Sequence, residues 1–122
     1  MNLMRSAAGC LLISALVTPT LVQAAGWGAL ALDTEKAERS PYYGVGGGDT
    51  EQEAIDNAMK FCQEAGGKAC KSLVTYEQCG ALAVSGTGDA GWGKAPTKIQ
   101  AEAQAIAGCQ NDQCKVVSSD CN

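Results

Sequence analysis

The residues best equipped for chemistry are seven cysteines: Cys10, Cys62, Cys70, Cys79, Cys109, Cys114 and Cys121. What they can do depends on their surroundings. A nucleophilic thiol needs a thiolate and a neighbouring base, and the 122-residue chain has no histidine. That absence removes Ser-His-Asp and Cys-His catalysis, imidazole metal ligation and an imidazole pH switch. Thiolate zinc sites favour C-x2-C-type spacing. Here the last six cysteines read C-x7-C-x8-C and C-x4-C-x6-C. The expectation is disulfide chemistry, with no metal and no cofactor.

Other groups offer less. Ser72, Ser85, Ser118 and Ser119 lie outside any G-x-S-x-G nucleophile elbow. Asp33, Asp49, Glu77, Asp89 and Asp120 contain enough carboxylates for a glycosidase pair, but nothing in their spacing sets two across a cleft. They read as solvated acidic surface. Gly44-Val45-Gly46-Gly47-Gly48 before a capped helix has the look of a phosphate cradle. It lacks the Lys-Ser/Thr of a P-loop. Asp49, Glu51 and Glu53 would also repel phosphate, so the segment reads as a turn before an acidic helix start. Gly86–Gly91 is too poor in oxygen ligands for a calcium loop.

Disulfides require an oxidising compartment, and the chain begins with a route to one. Met1–Ala24 reads as a secretory signal, with Arg5 as its positive end, Gly9–Val17 as its apolar stretch and Val22-Gln23-Ala24 before the cleavage point. Pro19 and the polar run after Val17 leave it too short to span a bilayer. Cys10 falls within the apolar stretch and is expected to be removed with it, unlipidated. Residues 25–122 then form a single domain with six cysteines, an even number that reads as three disulfides. Losing Arg5 takes the basic residues from 9 to 8 against 13 acidic ones, a net charge of −5. That balance argues against nucleic acid and against anionic membrane surfaces.

The elements that position these cysteines are written twice. At a shift of 47, Gly44 falls on Gly91, Gly46 on Gly93, Thr50 on Thr97, Ala54 on Ala101, Ala58 on Ala105 and Cys62 on Cys109. Gly28-Ala29-Leu30-Ala31 recurs as Gly80-Ala81-Leu82-Ala83, Cys70-Lys71 as Cys114-Lys115, and Cys79 aligns with Cys121. Each copy reads as an apolar strand (Trp27–Leu32; Gly80–Val84), a glycine-rich loop (Gly44–Gly48; Gly86–Gly93), a helix with a Thr-x-x-Glu/Gln capping box (Thr50–Ala65; Thr97–Cys109) and a return strand (Cys70–Tyr76; Cys114–Ser119). The expected fold is α+β: a small disulfide-stapled domain of two pseudo-symmetric β-β-α-β repeats packed face to face, two short helices on a mostly antiparallel sheet. Six cysteines allow 15 pairings. The repeat favours Cys62–Cys70 and Cys109–Cys114 across equivalent helix-to-strand turns, leaving Cys79–Cys121 as a bond between counterparts near the pseudo-dyad. The alternative joins Cys62 to Cys109 and Cys70 to Cys114.

The strings WGALALD (Trp27–Asp33), YYGVG (Tyr42–Gly46), CKSLVTYEQCGALAV (Cys70–Val84) and the repeated helix–Cys–strand–Cys tail resemble the bacterial secreted domain of unknown function 4189 over Gly26–Cys121. The second copy departs from the first in carrying Trp92-Gly93 where the first has Val45-Gly46. The resemblance implies a small exported protein from a family with no common activity. Some of its members are encoded near toxin-delivery systems, and some mycobacterial ones are studied as virulence factors.

Trp27, Tyr42, Tyr43 and Trp92 sit at or beside glycines, and aromatics so placed form typical partner-binding surfaces. The competing reading has both tryptophans cap a thin core; Tyr76 is expected inside. The function expected is therefore a non-enzymatic periplasmic or secreted protein-binding module. In its most concrete form it is an immunity or inhibitor protein against a secreted toxin or a cell-envelope enzyme. The alternative is a secreted effector or virulence factor acting on a host or competitor, with a small carboxylate hydrolase behind both.

Overall fold

The computed structural model describes residues 26–35 and 41–122. The expected signal segment, Cys10 and the cleavage point after Ala24 lie outside the described residues. The first copy comprises β1 (Trp27–Asp33), β2 (Tyr43–Gly48), α1 (Glu51–Glu64) and β3 (Cys70–Tyr76). The second comprises β4 (Cys79–Val84), β5 (Ala90–Ala95), α2 (Lys98–Cys109) and β6 (Lys115–Cys121). This is the α+β domain of two β-β-α-β units. Its strands form two three-stranded antiparallel sheets, β2-β1-β3 and β5-β4-β6, each closed within one copy.

The strand alternation explains the layers. In β1, Ala29 and Ala31 turn toward Ala54, Ala58 and Cys62 of α1, while Leu30 and Leu32 turn toward the other sheet. In β4, Ala81 and Ala83 face Ala101, Ala105 and Cys109 of α2, while Leu82 and Val84 face the first sheet. The order is helix, sheet, sheet, helix. Large side chains fill the inter-sheet layer, where Val74 and Tyr76 join the four from β1 and β4. The buried residues of the helix-to-sheet layers are alanines and cysteines, so backbones approach closely, with Trp27, Ile55 and Met59 packed at the margin of the first.

That close approach corrects one expectation. Gly44–Gly48 is no loop; it belongs to β2, and Gly91 and Gly93 belong to β5. A Cβ at Gly44 would fall on the Ala58 carbonyl oxygen, and one at Gly91 on the Ala105 carbonyl oxygen. Gly46 and Gly93 lie equally tight beneath α1 and α2. Glycine reads as a loop by propensity, yet in a strand it also marks close approach of another backbone. The true loop of the second copy is Gly86–Asp89, with Gly88 at φ 99°.

Other devices repeat. Thr50 Oγ1 accepts from Glu53 N at 3.1 Å and Thr97 Oγ1 from Gln100 N at 3.3 Å, capping the two helices. Asn57 Nδ2 donates to Gly47 O at 2.7 Å, and at the matching place Lys94 N donates to Gln104 Oε1 at 3.2 Å. The β1–β3 register slips between Leu30 and Ala31, and the β4–β6 register between Leu82 and Ala83. Leu73 and Val117 are the residues left over at these bulges, and both pack against the inter-sheet core.

Three disulfides close: Cys62–Cys70, Cys109–Cys114 and Cys79–Cys121. The first two tie each helix end to the following segment, as the repeat assigns. The reason given for the third needs correction. Cys79 and Cys121 are not counterparts across a pseudo-dyad; they are directly opposite residues of β4 and β6, with Cα atoms 4.1 Å apart, inside the second copy. Cys79 precedes Gly80 as Trp27 precedes Gly28, so Trp27 is its structural counterpart.

Candidate functional site

Trp92 is held by its neighbours. With Gly91 and Gly93 pressed against α2, its side chain leaves the opposite face of β5, where it is 48% exposed. It borders a groove of about 390 Å³ with Leu73, Thr75, Lys94 and Gln104. Trp27, half-buried at the start of β1, packs against the Ala29–Ala31–α1 cluster, as the core-capping reading expects, and also borders a second groove of about 500 Å³ with Tyr76, Glu77, Gln78 and Pro96. Thr75 and Lys94 line both grooves. The two tryptophans thus flank one continuous stretch of surface with a lysine between its halves.

Tyr42 and Tyr43 are exposed but lie elsewhere. Tyr43 pairs with Leu32, while Trp27 pairs with Gly48 at the far end of the same ladder. Five residue steps separate the two ends, roughly 17 Å at strand rise. Tyr42 borders Gly66, the positive-φ residue just beyond α1.

The carboxylates do not behave as one solvated set. Asp33 is buried; its Oδ1 accepts from Glu35 N at 3.0 Å and its Oδ2 from Lys68 N at 3.0 Å and Ala69 N at 3.3 Å. It is an internal anchor for the segment after α1. Ser85 holds the equivalent place in the second copy, its Oγ accepting from Thr87 N at 3.2 Å and Asp89 N at 3.0 Å. Asp89 Oδ2 accepts from Asn111 Nδ2 at 2.8 Å. Asp120 Oδ2 accepts from the Tyr76 hydroxyl at 2.6 Å. Burial first, then that bond and the carboxylate's charge, push the Tyr76 hydroxyl far above the usual tyrosine range. Glu77 borders the Trp27 groove and is exposed. Sequence reasoning missed the Tyr76–Asp120 pair. The signal lay in the repeat, because Gly28 faces Tyr76 and Gly80 faces Asp120. Among the described residues no group of three or more Cys, Asp or Glu is placed to hold a metal ion.

The profile of the domain of unknown function (DUF4189) matches residues 27–121, from the first residue of β1 to the last of β6. The chain belongs to that family. No curated protein matches the DUF4189 chain in sequence. Among solved structures it is similar to the NMR structure of Rv1813c from Mycobacterium tuberculosis, with 21% identity, a TM-score of 0.58, and coverage of 100% of this chain and 97% of that one. At that identity the likeness speaks for the DUF4189 fold. The disulfides fit an oxidising compartment. No helix among the described residues is long and apolar enough to cross a membrane.

Proposed function

We propose that this chain is an exported, non-enzymatic protein-binding module that grips its partner along the Trp27–Trp92 surface. In its most concrete form it is a periplasmic or secreted immunity or inhibitor protein whose partner is a secreted toxin or a cell-envelope enzyme. The observation that carries the reading is the fixed presentation of Trp92 between two glycines locked under α2, beside a groove it shares through Lys94 with Trp27. A rigid aromatic anchor loses little entropy on binding, and tryptophans dominate binding energy at protein interfaces. Lys94 supplies a cation for a carboxylate on the partner.

Affinity capture from the exported fraction of the producing bacterium tests this reading. The immobilised wild-type protein retains a specific toxin or envelope enzyme, and a Trp27→Ala/Trp92→Ala double variant of unchanged fold loses it. Equal retention by the two would contradict the proposal.

A further inference from the structure

Two of the three disulfides occur in both copies, and one does not. Cys62–Cys70 and Cys109–Cys114 tie the end of a helix to the next segment of chain in each repeat. Cys79–Cys121 closes the end of the β4–β6 ladder, and the first copy has Trp27 at the start of β1 and Glu77 just after β3 in the corresponding places. The first copy builds the same three-stranded sheet, with the same bulge, without that bond. A bond at this place is therefore no general requirement of the β-β-α-β unit.

Cys79–Cys121 also carries the most exposed half-cystine residue. Cys121 is exposed, whereas the other five half-cystines are buried or half-buried. It fastens a strand that buries little: no residue of β6 is buried, while all six of β4 are. Val74 and Tyr76 of β3 point into the inter-sheet core, and Ser118 and Asp120 of β6 stand in the matching places. Little apolar burial would keep the end of β6 in position once the bond opened.

The segment it fastens closes one end of the domain. Cys79 borders the Trp27 groove. Asp120, on one side of Cys121, holds the Tyr76 hydroxyl. On the other side, Asn122 Nδ2 donates to Gly26 O at 3.2 Å, Tyr76 O at 3.3 Å and Glu77 O at 3.1 Å, and Asn122 N donates to Gln78 O at 2.8 Å. Those carbonyls belong to the start of β1 and to the β3–β4 connection that lines the groove.

We propose that Cys79–Cys121 is a redox-sensitive latch on the Trp27 groove, opened by a dithiol while the other two disulfides keep the frame. A thiolate of the dithiol attacks Sγ of Cys121, forming a mixed disulfide and releasing Cys79 as a thiolate that takes up a proton. The second thiol of the reductant then displaces Cys121, which leaves as a thiolate and is protonated in turn. The reductant ends as its own disulfide, and its two electrons reside on the two cysteine sulfurs. Reduction frees the end of β6, loosens the Asn122 bonds and opens the groove beside Trp27. The latch does not depend on what occupies the groove, and its test needs no partner, so its failure and that of the binding reading are distinguishable.

The exported protein is equilibrated in graded reduced and oxidised dithiothreitol, trapped with N-ethylmaleimide and mapped by mass spectrometry, with tryptophan fluorescence read in parallel. Cys79 and Cys121 should label at a reductant ratio at least tenfold below that needed for the other four. The helical circular dichroism should persist, and a fluorescence change should accompany the labelling and be lost in Trp27→Phe. The Cys79→Ser/Cys121→Ser variant should fold and show the reduced form's fluorescence. Labelling of either other pair first or together, a silent Trp27, or a double-serine variant that does not fold would each overturn the proposal.

Discussion

The Tyr76 hydroxyl donates to Asp120 Oδ2 at 2.6 Å, and the two residues hold the same position in the two copies, one facing Gly28 and the other Gly80. A perfect repeat would set like against like here. A donor and an acceptor instead join the sheets, and the tyrosine ring lies where a Cβ at either Gly28 or Gly80 would fall.

Replacing Tyr76 by Phe keeps the ring and removes the donor. The variant should lose about 1–3 kcal/mol at neutral pH, since it strips a half-buried carboxylate of its partner. Urea unfolding of the two proteins measures the difference.

Burial of the Tyr76 hydroxyl, with this bond beside it, makes stability fall in alkali. The folded state holds the Tyr76 proton far more tightly than the unfolded chain, where tyrosine releases it near pH 10. Below about pH 10 both states are protonated, and the contribution is fully present. Above that, the unfolded chain sheds its proton while the folded one keeps it, so stability drops by up to about 1.4 kcal/mol per pH unit. Unfolding series from pH 8 to 11 should show a steeper alkaline loss for the wild type than for Tyr76→Phe.

Glycines two apart in β2 and β5 should tolerate nothing larger, while a neighbour should. Gly46→Ala or Gly93→Ala drives a Cβ into helix backbone and is expected to cost about 2–4 kcal/mol. Gly47→Ala meets only an ordinary contact, Trp27 O at 3.7 Å, and should stay within about 0.5 kcal/mol of wild type. Thermal melts of the three variants check the contrast.

Asp33→Ala leaves the amides of Glu35, Lys68 and Ala69 without their acceptor. A loss of about 2–4 kcal/mol is expected, together with faster amide exchange at Lys68 and Ala69.

Much of the architecture was legible because it was written twice. The capping threonines, the alternating Ala and Leu of β1 and β4, and the helix-end cysteines all recur at matching offsets. What escaped was set by contacts between elements. Gly44 and Gly46 carry loop propensity, and only a helix lying on them shows why they are strand. Cys79 and Cys121 align in sequence, yet strand register makes them cross-strand neighbours of one sheet. Asp33 and Asp120 look like any surface acid until the chain folds around them. The four candidate aromatics are alike in sequence and end up on two parts of the surface, because ladder position, not residue type, decides which side chains meet.

The most direct test of the binding surface is the affinity of the captured partner for four single variants, measured by titration calorimetry. Trp27→Ala and Trp92→Ala should each weaken binding by at least about tenfold, or 1.4 kcal/mol, while Tyr42→Ala and Tyr43→Ala change it by less than about threefold. Equal losses across all four, or larger losses at the tyrosines, would contradict the assignment of the Trp27–Trp92 surface.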